Sequence, residues 1–453
     1  MLGRINRVNL KKTIYYLKRN GLKNTYYAIL ERLAVSRQPL YRFAPPEEKE
    51  LAKQRRDYRM LEPAFTISIV VPCYRTDPRH LLKMLESVRH QTYPRWELIL
   101  TDATEDDSVE RVQASLKDSR IRYVRLPENA GIAENTNRGV ELASGKYIGL
   151  LDHDDLLTPD ALYRMSAAIE QGKRIQKEPV LLYSDEDKCN GEGTVFYEPN
   201  FKEDFNLDLL LSNNYICHFT LMERSLIQEL MLRKEFDGAQ DYDLVLRAAA
   251  QLTGQEDRIV HVPRVLYHWR CHTSSTAENP QSKLYAYDAG RRAVQDFAER
   301  RGWQAKAVDT AHLGFYRLEY QNDIFEIRED LGAIGGPLIH KGKISGGRLT
   351  EDGQVYYEGL NCHFSGYLHR ASLHQNAEAL DIRNIRVRKE AWGLFQEVVG
   401  VPWQTLPGQE IFDAAVLPEG SNFVALSLAL AQALHKAGYK LLYLPEKREN
   451  FKI

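Results

Sequence analysis

Three carboxylates stand within four residues at Asp152-His153-Asp154-Asp155. Like charges this close repel unless a cation or hydrogen-bond donors neutralise them. Hard oxygen ligands suit Mg²⁺ or Mn²⁺, ions that also hold phosphates. The same stretch also reads as an acidic loop capping a helix, with Thr158 as N-cap and Pro159 at the first helical position. A second acidic pair, Asp241 and Asp243, opens a predicted helix over 242–252. There a carboxylate either serves as a base or favours the helix dipole.

These residues need a scaffold, and the flanking pattern supplies one. An apolar run over 147–151 leads straight into the acids and suits a central strand of a parallel sheet. Strands are predicted over 66–71, 96–100 and 121–124, with helices over 81–91, 109–116 and 133–143 between them. A βαβα succession predicts a doubly wound, mostly parallel sheet with helices on both faces. Right-handed crossovers put the loop at 72–76, Asp102 and the acid cluster along one edge, the edge where open α/β sheets bind ligands. No G-x-G-x-x-G and no G-x-x-x-x-G-K-[ST] occurs, which disfavours dinucleotide dehydrogenases and P-loop NTPases. A nucleotide can be held otherwise: Tyr74 can stack on a base, and Asp102 can accept from a pyrimidine imide.

Hydrophobic residues make up 43% of the 453-residue chain and charged ones 27%, ordinary values for a globular protein of two or three domains. The five cysteines are scattered without a C-x-x-C pair, so neither a zinc site nor a disulfide framework is expected, and a reducing cytosol fits. The net charge of −1 implies no nucleic-acid partner. It conceals +9 over residues 1–43 and −10 over the remainder. Two short amphipathic helices are predicted there, broken at Gly21, with Leu10, Ile14 and Leu17, then Leu22, Tyr26, Ile29, Leu30 and Leu33 as apolar faces. Basic amphipathic helices lie in anionic membrane interfaces. The competing reading is a hairpin packed on its own protein. No run reaches the ~20 apolar residues of a membrane span, and no signal-peptide core is present.

The ordered set Val70-Val-Pro72-Cys-Tyr74, Glu97-Leu-Ile-Leu-Thr-Asp102, Asn129 to Gly139, Gly145 to Asp155, Tyr183-Ser-Asp185-Glu-Asp187, Phe236 to Arg247 and Tyr267 to His272 resembles a family-two glycosyltransferase of the GT-A fold. The resemblance covers 66–300. It implies an inverting displacement at the anomeric carbon of a nucleotide sugar, UDP- or dTDP-linked, with Mn²⁺ or Mg²⁺ on the leaving diphosphate. It places Asp154 and Asp152 as metal ligands, with His272 completing the site and Arg270 near phosphate. It makes Asp241 the general base with Asp243 second, and Pro72, Tyr74, Asp102, Asn135, Asp152, Asp185 and Asp187 donor-pocket residues. The acceptor implied is a glycan, lipid-linked, in cell-surface polysaccharide synthesis. The setting implied is the cytoplasmic side of the inner membrane, peripherally bound. The sequence departs from the pattern at Ala103 and at Glu134-Asn135, which leaves the donor nucleotide open. A nucleotide-sugar-binding scaffold without catalysis is the alternative function.

The expected domains are 1–60 (basic helices and linker), 61–304 (transferase) and 305–453. The last is expected to be α+β and non-catalytic. Segment 381–390 echoes 214–224, and 429–445 echoes 246–263, as in a truncated second transferase-like unit. Asn422-Phe-Val424 stands there in place of Asp241-Tyr-Asp243. An exposed half sheet needs cover, from the transferase domain or a second subunit, so a homo-oligomer is a candidate assembly.

Overall fold

The computed structural model describes residues 7–35, 41–58, 65–271, 284–447 and 449–450. Two compact units divide the chain. A terminal unit comprises Met1–Pro39, Asn206–Asn213 and Ala298–Ile453, and begins with helix α1 (Arg7–Val35). A central unit comprises Leu40–Phe205 and Asn214–Phe297.

The central unit alternates as the pattern requires: β1 (Ile67–Cys73), α2 (Pro78–Arg89), β2 (Trp96–Asp102), α3 (Ser108–Leu116), β3 (Ile121–Arg125), α4 (Ile132–Leu142) and β4 (Tyr147–Leu150). Helix α5 (Ala161–Arg174), β5 (Leu181–Asn190), β6 (Thr220–Glu223), α6 (Arg224–Leu230), α7 (Gln240–Gln251) and β7 (Ile259–Cys271) follow. Among the described residues the sheet has nine strands, ordered β3-β2-β1-β4-β6-β5-β7 before a short strand, Leu156–Leu157, with Phe196–Asn200 alongside β5. Strands β1 to β4 are parallel, so the C-terminal ends of β1, β2 and β4 share one edge. Both faces of β1 are covered, which explains its nearly unbroken apolar run. Ile67, Ile69 and Val71 pack with Leu81, Leu85 and Val88 of α2. Behind them Gly139 of α4 lies against Val70, where an added Cβ would sit 2.4 Å from Cγ1. Each fully buried aliphatic side chain contributes about 1.5–3 kcal/mol, so this core holds the edge rigid.

The helix expected at Pro159 starts later, at Ala161 after Asp160. The intervening residues work between elements instead. Leu156 and Leu157 pair with β7, the Thr158 amide donates to Leu266 O at 3.0 Å, and the Pro159 carbonyl accepts from the Thr92 amide at 2.9 Å.

In the terminal unit, β8 (Leu331–Gly335), β9 (Gln375–Ala377), β10 (Ile385–Val387), α8 (Trp392–Val399), α9 (Phe423–Lys436) and β11 (Lys440–Tyr443) build a sheet ordered β9-β11-β8-β10. Strand β8 has an antiparallel neighbour, β10, and a parallel one, β11. In the central unit β5 likewise stands between antiparallel β6 and parallel β7. The chain order is also shared: β5-β6-α6-α7-β7 and β8-β10-α8-α9-β11.

Helix α1 breaks at Gly21, whose φ of 76° and ψ of 175° lie outside the helical region. Its polar side packs inward. Arg19 donates to Thr310 O and Asn20 to Ala311 O, both at 3.0 Å, and Glu31 accepts from the amides of Ser365 and Gly366. Its apolar stripe faces solvent, with Leu22 80% and Tyr26 59% exposed.

Candidate active site

Asp152, Asp154 and Asp155 follow β4 at the C-terminal edge, and the structure separates their duties. Asp155 is 1% exposed and accepts from the Tyr267 hydroxyl and from the Arg270 amide at 2.7 Å. Burial, then Asp154 and Asp152, push its carboxyl well up. It anchors the loop to β7. Asp152 and Asp154 stay partly exposed. Burial of the Asp152 carboxyl pushes it up; Asp154 and, more weakly, Asp241 add to the rise, while His218 opposes it.

Asp241 sits in the first turn of α7, where the Gln240–Gln251 helix presents it to the edge. Asn214 Nδ2 donates to its Oδ2 at 2.9 Å, and the Cys217 thiol lies 3.5 Å from the same oxygen. Cys217 is held in the thiol form by burial, then by Asp241. The buried Lys202 ammonium donates to the carbonyls of Ile216 and His218, fixing the segment that carries these groups. His218 stacks on Tyr267, ring centroids 4.6 Å apart at 14°. Asn214, Cys217, His218 and Lys202 were not anticipated as site residues. The polar letters inside Asn214-Tyr-Ile-Cys-His218-Phe were the available signal, since such groups seldom interrupt an apolar run without partners.

Other expected residues are engaged by protein partners in this structure. Asp243 is 1% exposed and both of its oxygens accept from guanidiniums, Arg233 and Arg247. A carboxylate shared by two cations ties α7 to Arg233 rather than facing an acceptor. Arg270 is fully buried; Nε donates to Asp154 O and Nη1 to Gly191 O at 2.6 Å. These bonds hold the acidic loop, while Nη2 is buried without a hydrogen-bond partner among the described residues. Asp185 accepts from the Lys202 amide at 2.8 Å and lies 2.9 Å from His261 Nε2. Asp187 pairs with His268 and accepts from the Tyr41 hydroxyl at 2.8 Å. Asn135 bonds within its own loop, to Asn129 Oδ1 at 2.9 Å. His272 lies outside the described residues.

At the far end of the edge, Pro72 leads to Tyr74, 36% exposed, with the Arg75 guanidinium 5.0 Å from the ring centroid. Asp102 is fully buried beside it and accepts from the Thr104 amide and the Tyr123 hydroxyl, both at 2.9 Å. Asp102 therefore sits as the floor of this end, beneath Tyr74.

A divalent cation fits the donor set. Asp152 and Asp154 are hard oxygen ligands whose repulsion it would relieve. Among the described residues no three ligating side chains are preassembled, so the other positions would fall to diphosphate oxygens and water, the usual habit of Mg²⁺. Also among the described residues, no helix is long and apolar enough to cross a membrane.

The central unit is a mostly parallel α/β sheet with acids at the end of β4 and a carboxylate in the first turn of α7. The model of the family described as glycosyl transferase family 2 matches residues 68–231. The glycosyltransferase YwdF of Bacillus subtilis is 31% identical over 198 residues, 44% of this chain and 71% of that protein. Protein y4gI of Sinorhizobium fredii is 41% identical over 246 residues, 53% of this chain and 26% of that protein. The O-antigen biosynthesis protein RfbC of Myxococcus xanthus is 33% identical over 258 residues, 56% of this chain and 20% of that protein. The chain thus spans about a quarter or less of the last two. It belongs to glycosyl transferase family 2.

Proposed function

We propose that the chain transfers one sugar from a pyrimidine nucleoside-diphosphate donor to a hydroxyl of a lipid-linked glycan, with inversion, during synthesis of a cell-surface polysaccharide. What supports this reading is that Asp154 and Asp241 both lie near enough to Asp152 to push its carboxyl up, although α5, β5, β6 and α6 separate Asp241 from the other two in the chain. The name of the Myxococcus relative supports the polysaccharide setting. Assembly of Asp241 with its own donors speaks against a scaffold that only binds nucleotide sugar.

Tyr74 stacks the base over Asp102 and orients the donor along the edge. Asp152 and Asp154 would hold Mn²⁺ or Mg²⁺, whose charge stabilises the departing diphosphate. Asp241 accepts the proton of the acceptor hydroxyl as its oxygen attacks the anomeric carbon. The new C–O bond forms while the bond from that carbon to the diphosphate oxygen breaks, and the electron pair leaves with the diphosphate. Asn214 and Cys217 both address Oδ2 of Asp241, which orients the other oxygen for the acceptor. Such a positioned base contributes roughly 10²–10⁴ in rate. Incubation with Mn²⁺, a panel of nucleotide sugars and an extracted glycolipid acceptor tests the reading. Release of nucleoside diphosphate, with product of inverted anomeric configuration by NMR, is expected. Binding of a donor without turnover on a competent acceptor would revive the scaffold.

The same reading places the chain on the cytoplasmic membrane surface through α1. Its apolar stripe is exposed, its charge is basic apart from a single acid, and that acid, Glu31, is bound by the Ser365 and Gly366 amides. Buried apolar area and anionic headgroups would then act together. Sedimentation with phosphatidylglycerol vesicles should drop several-fold in Leu22→Asp/Ile29→Asp. Equal pelleting of parent and variant would reject it.

A further inference from the structure

The terminal unit contains a cavity of about 260 Å³ that the transferase chemistry does not use. Pro445 and Glu446, two and three residues past the end of β11, form part of its wall. It therefore lies at the C-terminal end of the two parallel strands, the end at which open α/β sheets receive ligands. The gap directly above β8 is closed: a Cβ on Gly336 would sit 2.1 Å from Lys447 O, and the Leu444 amide donates to Gly335 O at 2.7 Å. Tyr16 and Ala28 of α1 also line the cavity.

The walls state what kind of ligand fits. Tyr16, Tyr316 and Phe364 supply aromatic surface, and a sugar ring presents one apolar face to such surface while its hydroxyls seek planar polar groups. Those groups are present, and the charged ones already have partners. Glu446 lies 2.8 Å from His374, Arg317 Nη2 is 2.5 Å from Glu319, and Glu31 accepts from Ser365 and Gly366. With Arg317 engaged and two carboxylates in the wall, the lining favours a neutral ligand over a phosphate or a carboxylate. Burial, and then His369, push the ring of His312 down to about 3, so this lining residue is neutral at physiological pH. The volume is below the ~300–1,000 Å³ typical of drug-sized ligands, which leaves room for about one sugar ring.

We infer that this cavity is a second saccharide subsite, one that takes a neutral sugar of the acceptor glycan away from the reacting centre. The site stands on its own geometry; only the source of the sugar, the acceptor, rests on the transferase reading.

The test uses the full chain bearing Asp241→Asn, which removes turnover. Saturation-transfer NMR is recorded with the methyl glycosides of glucose, galactose, mannose and N-acetylglucosamine. Transfer to at least one is expected, with a several-fold loss when exposed His363 is changed to Ala and a further loss in Ala28→Trp, which fills the cavity. A melting temperature unchanged in His363→Ala shows that the loss is local. No transfer to any of the four, or transfer that neither variant alters, overturns the subsite. In the active chain His363→Ala should raise acceptor KM about tenfold and leave donor KM and kcat alone. An inactive parent chain would sink the transferase reading while the NMR result still decides the cavity.

Discussion

The frames β6-β5-β7 and β10-β8-β11 share strand directions and chain order but treat the helix before the last strand differently. In the central unit α7 begins with Asp241, whose carboxylate is held by Asn214 and Cys217 from another element. In the terminal unit α9 begins after Asn422, whose Oδ1 accepts from the Ala425 amide of its own helix at 3.0 Å. One side chain is spent outward on a cleft, the other inward on a cap. The strand ends differ in the same sense. At the central strand end acids follow β4, whereas the Leu444–Lys447 turn packs over Gly335 and Gly336 at the terminal one. Two frames with the same strand directions thus differ in where the residue at the helix start spends its hydrogen bonds.

The comparison breaks most sharply at Asp241. Asp241→Asn should cut kcat by roughly 10²–10⁴ and leave donor affinity within twofold, read by diphosphate release and calorimetry. Full turnover in that variant would remove the distinction between the frames. Acid should then act on the terminal unit. Burial pushes the rings of His312 and His369 down to about 3 and about 4. A depressed pKa gives stability that is present above the unfolded value near 6.5 and is lost as pH falls toward the folded values. Melting of this unit should drop between about pH 6.5 and 4, and His312→Phe should flatten the slope; an unchanged slope would show that the stacked pair does not couple to folding. The smallest effect belongs to Asn422→Ala, about 1 kcal/mol of stability by urea titration, with turnover untouched. Lost turnover there would mean that the terminal frame is not the silent copy described.

Much of the sheet was legible because burial on both faces leaves a continuous apolar run, as in Ile67 to Val71, and such runs announce central strands. The acids after β4 were legible for the same reason: charge directly after a buried strand has to emerge at its end. Asp241 was readable only through the family motif around it. Asp243, Asp185, Asp187 and Arg270 were less readable, because a motif records which residue type is present and not which partner satisfies it. Arg233 lies ten positions from Asp243, and His261 is far along the chain from Asp185. The stripe on α1 was visible as a period, but only coordinates show that its polar side is the one packed.

What the amino-acid order determined by itself was local: strand and helix periods, the break at Gly21, the acids following β4 and the asymmetry of charge. Which carboxylates face a cleft and which are buried against guanidinium or imidazole was decided by tertiary contact alone. The reason is energetic. A carboxylate's duty depends on its desolvation and its donors, and both come from elements that the chain brings together only when it folds.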